Sequence, residues 1–211
     1  MLYLIVFLIL AYLLGSIPTS VWVGKWFYNI DIRNYGSGNA GATNTLRVLG
    51  TKAALPVFVF DVFKGFIMPF FAHKFNNELP TINDSYFFPI IIGFSAVLGH
   101  IFPIFAGFRG GKGVATLLGM TIGITIFPAL LSLGIFVLVL IFTKYVSVGS
   151  LTSGITFPIL ILFFEDYTIS LMIFSIFATI LLFYTHRKNI RRLMNGTENK
   201  TTFKKKNIKE F

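Results

Sequence analysis

VATLLGMTIGITIFPALLSLGIFVLVLIF, residues 114–142, is the stretch on which the fold turns. It is apolar throughout and long enough to cross a bilayer once as a tilted helix, since about 20 residues suffice. Gly119, Gly123, Pro128 and Gly134 equally permit a tight hairpin of two shorter helices. One crossing or two reverses the side of the membrane on which every later residue lies.

Charge decides between them. Of the 211 residues, 55% are hydrophobic and only 12% charged, and the mean hydropathy is +0.78. A water-soluble domain cannot bury that much apolar surface, so the class is integral membrane. Before the deciding stretch lie Leu2 to about Gly24, broken by Gly15-Ser16-Ile17-Pro18, then Ala53–Ala72, and then Tyr86–Phe105. After it come Leu151–Phe164 and Thr168–Thr185, separated by Glu165-Asp166. The loop from Lys25 to Lys52 holds Lys25, Arg33, Arg47 and Lys52 against Asp31 alone, so it belongs in the cytoplasm. Nine Lys and Arg residues follow Thr185. A single crossing by 114–142 would put that basic tail outside, and two crossings keep it inside.

The expectation is therefore an all-α integral membrane protein with seven transmembrane helices, several short or broken, N-terminus outside and C-terminus cytoplasmic. Each half of the hairpin comes out short, about 22 Å at 1.5 Å per residue against a core of about 30 Å. Residues 1–195 read as a single transmembrane domain, and residues 196–211 as a flexible basic tail near anionic headgroups. The N-terminal run has neither a basic leader nor a small-residue cleavage site, so it reads as a retained span. The net charge of +10 is then an orientation signal and not a nucleic-acid footprint. The bilayer is the expected partner, with no nucleic acid.

Three polar segments fall on the cytoplasmic side. The first is Ser37-Gly38-Asn39-Ala40-Gly41-Ala42-Thr43-Asn44-Thr45-Leu46-Arg47. Glycines let backbone N–H groups approach a phosphate closely, and Ser37, Asn39, Thr43 and Asn44 add side-chain donors. Arg47 ends the segment with a planar fork suited to phosphate, three to four residues beyond Thr43 and Asn44 and so on their helical face. The plain alternative is a solvated turn.

The second segment, Gly107-Phe108-Arg109-Gly110-Gly111-Lys112-Gly113, runs into the helix expected from Val114, whose N-terminus favours anions. It is not a Walker A loop, because Lys112 is followed by Gly113 and not by Ser or Thr. In the third, His186-Arg187-Lys188-Asn189, most charges suit a stop-transfer cluster. His186 and Asn189 are three apart and share a helical face, and His186 could serve as a general base. Ser147 and Ser150 occupy an expected short cytoplasmic loop, where either could bond a phosphate.

Other polar residues read as structural. Asp61 and Lys64 sit i, i+3 within a span, as a buried ion pair would. His100 is taken as a hydrogen-bonded structural residue, and His73 as solvated in an outside loop. With no cysteine, no His-x4-Asp and no carboxylate cluster, neither a metal site nor a cofactor is expected. A transporter of a phosphorylated anion would share the broken helices and basic loops, but its polar groups would gather at the midplane.

Taken together these residues resemble a known family. The pattern comprises Ser37-Gly38-Asn39-x-Gly41-x-Thr43-Asn44-x-x-Arg47, Asp61-x-x-Lys64-Gly65, and Gly99-His100-x-Phe102-Pro103 leading to Phe108-Arg109-Gly110-Gly111-Lys112-Gly113-Val114-Ala115-Thr116. It ends with His186-Arg187-x-Asn189-Ile190-x-Arg192-Leu193 and Gly196-Thr197-Glu198. This is similar to the bacterial acyl-phosphate:glycerol-3-phosphate acyltransferases, integral enzymes of the cytoplasmic (inner) membrane. The resemblance implies acyl transfer from acyl phosphate, supplied by a soluble phosphate acyltransferase, to the 1-hydroxyl of glycerol 3-phosphate at the cytoplasmic face. It also implies that residues 1–195 are one acyltransferase domain. Ser37, Arg47, Lys112, His186 and Asn189 would bind glycerol 3-phosphate or position its hydroxyl. Gly38, Asn39, Thr43, Gly111 and Ser150 would hold the phosphoryl end of the donor, with Asn44 beside them.

Overall fold

The computed structural model describes residues 2–74, 84–166 and 168–201. These residues form ten α-helices and no strands. The first apolar run is two helices, α1 (Leu2–Gly15) and α2 (Thr19–Tyr28). Pro18 lacks an N–H and keeps Ile17 out of helical conformation, so the run breaks there. The break frees the carbonyl of Ile17, which accepts from Lys64 Nζ at 3.0 Å.

After α2 comes a short amphipathic helix, α3 (Ala42–Leu49), which does not span. Helix α4 (Thr51–Lys74) is long and apolar enough to do so, and it carries Asp61 and Lys64 into the interior. There Lys64 Nζ lies 2.8 Å from Asp61 Oδ1, and Asp61 Oδ1 also faces His100 Nδ1 at 3.6 Å and Thr19 Oγ1 at 3.3 Å. The ion pair and the structural histidine expected from the sequence are thus one buried cluster. His73, in the last turn of α4, is not solvated: it is half-buried, with its ring edge-on to Tyr86 at 5.9 Å. The charged loop expected after it lies largely at 75–83, outside the described residues.

Helix α5 (Phe87–Ile101) leads into the glycine segment, and the hairpin follows as α6 (Val114–Ile124) and α7 (Ile126–Thr143). The chain turns at Thr125, which is extended, and not at Pro128. Pro128 falls at the third position of α7, where its missing N–H had no helical acceptor to lose. The two halves are unequal. Helix α7 has 18 residues, whereas α6 has 11, about 17 Å at 1.5 Å per residue. The expectation of two equally short halves is corrected accordingly.

Short α6 is held by close backbone packing against α4. A Cβ on Gly65 would run into the carbonyl of Thr116, and one on Gly119 into the carbonyl of Val62. Reciprocal glycines let two helices approach where lipid provides no hydrophobic drive.

Two helices follow, α8 (Val146–Phe164) and α9 (Ile169–Thr185). Helix α8 starts five residues earlier than expected, so Ser147 and Ser150 sit in its first turns and not in a loop. The terminal helix α10 (Arg187–Met194) bends 60° away from α9. By length and composition five segments can cross a membrane: α1 with α2, α4, α5 with its following turn, α7 and α8. The bent α9–α10 pair makes a sixth, and α6 is a shorter apolar helix. Val97, Leu117, Met120, Phe157, Leu171 and Phe174 form an interior core among α5, α6, α8 and α9. Outward-facing side chains such as Phe142 and Phe163 stay exposed, as a lipid-facing surface requires. The first residues of the expected tail return to the bundle: the N–H of Thr201 donates to the carbonyl of Lys144 at 2.7 Å. Residues 202–211 lie outside the described residues.

Candidate active site

The first polar segment is shaped from within. Gly36 and Gly38 take left-handed conformations, with φ of +61° and +73°. The turn they make closes around buried Asn44. Its Oδ1 accepts from the N–H and the hydroxyl of Ser37, at 2.8 and 3.1 Å. Its Nδ2 donates to the carbonyls of Ile32 and Tyr35, at 3.1 and 3.0 Å. Asn44 therefore braces the loop. Helix α3 then begins after Gly41 and projects Thr43 and Arg47 from one face, since they are four residues apart.

The glycine segment folds back over the end of α5. Gly110 N–H donates to the carbonyl of Ile101 and Gly111 N–H to that of His100, both at 3.2 Å. The His100 ring packs directly beneath Gly111, leaving no space for a Cβ there. Lys112 comes next, and Gly113, at φ +83°, opens α6. The Lys112 ammonium donates to Asn189 Oδ1.

His186 sits at the bend between α9 and α10 and is buried. Its Nδ1–H donates to the carbonyl of Leu182 at 2.8 Å. A carbonyl only accepts, so this bond leaves Nε2 as the unprotonated nitrogen. Asn189 Nδ2 donates to Glu198 Oε1 at 2.6 Å. Glu198 Oε1 also accepts from Ser147 Oγ at 2.9 Å, and Oε2 from Arg192 Nε at 2.7 Å.

These three segments and the start of α8 enclose a polar cavity of about 120 Å³. Ser37, Asn39, Thr43, Asn44, Arg47, Lys112, Ser150, His186 and Asn189 all line it. Gly38 and Gly111 are not among its lining residues, and their N–H groups donate to the carbonyls of Tyr35 and His100. Ser150 donates to the carbonyl of Val146 in its own helix at 2.9 Å, and its neighbour Ser147 is engaged with Glu198. Among the described residues, no three His, Asp or Glu side chains come close enough to share a metal ion.

Burial governs the electrostatics. It pulls the Lys112 ammonium down to about 8, with Arg192 and Arg47 adding to the fall and Glu198 opposing it. Burial likewise lowers His186 to about 4, helped by the Lys112 charge, so its imidazole is neutral at pH 7. Burial alone would raise the Glu198 carboxyl, but hydrogen bonds from Asn189, Arg192 and Ser147 hold it below its ordinary value.

Glu198, with Asn199 and Thr201, lines the cavity without having been assigned a role from the sequence. The available signal was its isolation: it is the only acid between Asp166 and Glu210, in a stretch crowded with Lys and Arg.

A second cavity, apolar and about 110 Å³, lies among α6, α7, α8 and α9, with Leu117, Leu133, Phe157 and Leu182 on its walls. Phe58, Val114, Ala115 and Phe136 line both cavities, so the two adjoin. An all-helical membrane bundle that joins a cationic pocket to a hydrocarbon-lined one is built for a molecule with an anionic head and an apolar chain.

The chain belongs to the glycerol-3-phosphate acyltransferase family, whose sequence profile matches residues 5–196. A glycerol-3-phosphate acyltransferase from Chlorobium phaeovibrioides (strain DSM 265 / 1930) is 42% identical, covering 97% of this chain and 99% of the relative. One from Chlorobium phaeobacteroides (strain DSM 266 / SMG 266 / 2430) is 44% identical over 96% of this chain and 98% of its own. Among solved structures, the glycerol 3-phosphate form of PlsY (YgiH), an integral membrane glycerol 3-phosphate acyltransferase, superposes with a TM-score of 0.86 at 36% identity. That match covers 95% of this chain and 96% of the other. The lysophosphatidic acid form of the same enzyme gives 0.82 at 35% identity.

Proposed function

We propose that this protein transfers a fatty acyl group from acyl phosphate to the 1-hydroxyl of sn-glycerol 3-phosphate, releasing lysophosphatidate and inorganic phosphate. The observation that carries the reading is the junction of the two cavities at Phe58, Val114, Ala115 and Phe136. There an acyl chain in the apolar cavity would present its carbonyl to the polar one. The related solved structures, described as glycerol 3-phosphate and lysophosphatidic acid forms, support the same substrate and product classes.

Two phosphates must approach each other, and they repel. Arg47 and Lys112 offset that repulsion beside low-dielectric lipid, where charge is felt more strongly. Ser37, Arg47 and Lys112 hold the acceptor's phosphate, while Asn189 and His186 orient its free hydroxyl. Asn39 and Thr43 hold the donor's phosphoryl group, with Asn44 keeping Ser37 in place; Gly38, Gly111 and Ser150 shape the site instead, their donors being engaged by the carbonyls of Tyr35, His100 and Val146. The hydroxyl oxygen attacks the acyl carbon, the tetrahedral adduct collapses, and the carbon–oxygen bond to phosphate breaks. The hydroxyl proton passes to His186 Nε2 or to a phosphate oxygen of substrate. Acyl phosphate is already activated, so no covalent enzyme intermediate is required.

The same reading gives seven crossings in a bacterial cytoplasmic membrane: α1 with α2, then α4 to α9 in turn. The N-terminus is outside, the cavity opens at the cytoplasmic face, and residues 1–195 act as one catalytic domain. A soluble phosphate acyltransferase supplies the donor. Purified enzyme should use acyl phosphate with stoichiometric release of inorganic phosphate and should not use acyl-CoA. Equal rates with acyl-CoA would overturn the donor assignment.

A further inference from the structure

Arg33 is a loop charge with no role in the chemistry above, and its side chain is only 15% exposed. Its guanidinium is committed in two directions. Towards its own loop it grips Asp31 with both faces of the fork, Nε to Oδ1 at 2.9 Å and Nη2 to Oδ2 at 2.7 Å. Asp31 Oδ1 also accepts the N–H of Arg33 at 3.0 Å, which fixes the turn from which the side chain departs. Towards the glycine segment, Nη1 donates to the carbonyls of Ala106 at 2.8 Å and Arg109 at 3.4 Å.

Those two carbonyls flank Gly107 and Phe108, both left-handed, with φ of +63° and +58°. A phenylalanine rarely holds such a conformation unless its surroundings impose it. Arg33 grips the turn on both sides of it, and Lys112 follows three residues after Arg109. On the other side, the neighbouring carbonyls of Ile32 and Tyr35 hold Asn44, and Asn44 holds Ser37. Arg33 is therefore a side-chain link between the Ser37 loop and the Lys112 loop, although it is absent from the cavity lining.

We propose that Arg33 is a positioning residue that sets the distance between the two phosphate-binding loops, and hence the approach of acceptor to donor, without touching either substrate. This rests on the acyl-transfer reading of the cavity. Only a planar fork can satisfy a carboxylate and two carbonyls together, so lysine should not substitute.

The test uses full-length enzyme purified in detergent, with R33K, R33Q and D31N assayed for kcat and for KM of each substrate, alongside thermal midpoint and elution profile. Misplacement of reacting groups by about 1 Å can cost around a hundredfold. R33K and R33Q should each lower kcat by about tenfold or more in protein that remains folded, with smaller changes in both KM values. D31N, which unties the fork, should move kcat in the same direction, and it decides the matter if the Arg33 variants do not fold.

Near-normal kcat in R33K would reduce Arg33 to a topological charge and overturn the proposal. A raised KM for one substrate at unchanged kcat would make Arg33 a direct ligand, which overturns it equally. A lowered thermal midpoint at unchanged kcat would leave it a stability element only, which also defeats the proposal. None of these outcomes touches the cavity reading, which fails instead if Lys112→Ala remains active.

Discussion

Lys112 and Asn189 meet across the polar cavity, the ammonium donating to the amide oxygen of a residue 77 positions further along the chain. The contact joins the N-terminus of α6 to α10, and it holds the ammonium without neutralising it. Asn189 is in turn held by Glu198, so the cation's position is fixed from behind while its charge stays available to an anion.

Removing the charge should therefore cost binding and rate together. A hydrogen bond to a charged group contributes about 1.5–3 kcal/mol, so Lys112→Ala should lower kcat/KM by roughly ten- to a hundredfold or more. Wild-type rates in folded protein would remove Lys112 from the site.

The same burial predicts a pH dependence. A lysine lowered to about 8 carries its charge below that pH and loses it as pH rises through it. Phosphate affinity should fall in the same direction. The profile of kcat/KM should show an alkaline limb near pH 8, reporting the free enzyme. Lys112→Arg, to whatever extent it is active, should abolish that limb, because guanidinium stays charged. A limb that persists in the arginine variant belongs to another group.

His186 discriminates between two routes for the proton. Burial lowers it to about 4, which leaves Nε2 unprotonated at neutral pH, able to take a proton but a weaker base than a free imidazole. As a general base it should be worth about a hundredfold or more, so His186→Ala should lose at least that factor in kcat. A loss of only a few-fold would assign the proton to a substrate phosphate oxygen.

Glycines of different surroundings should respond differently. Gly119→Leu forces side-chain volume into the α4 backbone, and overpacking costs about 1–3 kcal/mol or more, so the thermal midpoint should fall. Gly134 lies inside α7, and a Cβ added to it would meet nothing within 4 Å. Gly134→Ala should be neutral or stabilising by up to about 1 kcal/mol. Equal effects at the two positions would contradict the packing described between α4 and α6.

The sequence is most legible where one physical term dominates. Hydrophobic runs mark the helices, and loop charge favours a hairpin over a single helix at 114–142, which is what α6 and α7 form. Runs of polar residues in a greasy chain pointed to nine of the residues that line the cavity. Local detail was harder to read where competing terms are close. Gly119, Gly123, Pro128 and Gly134 all permit a turn, yet a proline is equally at ease in the first turn of a helix, and the break comes at Thr125. Ser147 and Ser150 are polar enough for a loop, but α8 absorbs them by bonding them to Glu198 and to its own backbone. Asn44 has the chemistry of a ligand, and only the tertiary turn shows its amide spent on Ser37, Ile32 and Tyr35. Glu198 depends on a return of the chain that no local periodicity encodes.

The 11 residues of α6 bear on a different competition, that between glycerol and water. A helix of about 17 Å falls well short of a hydrocarbon core of about 30 Å, so its ends cannot both reach the headgroup level. Lys112 stands just before its N-terminal cap, Gly113, in the segment that Gly110 and Gly111 tie back to α5 through the carbonyls of Ile101 and His100. On the proposed reading the donor's phosphoryl group, at Asn39 and Thr43 beside that end, would meet few water molecules, and hydrolysis of so reactive a donor would waste it without making lipid. On that reading the shortness of one helix would favour transfer over hydrolysis, and lengthening α6 by a turn should bring the donor closer to bulk water and raise its rate of futile breakdown.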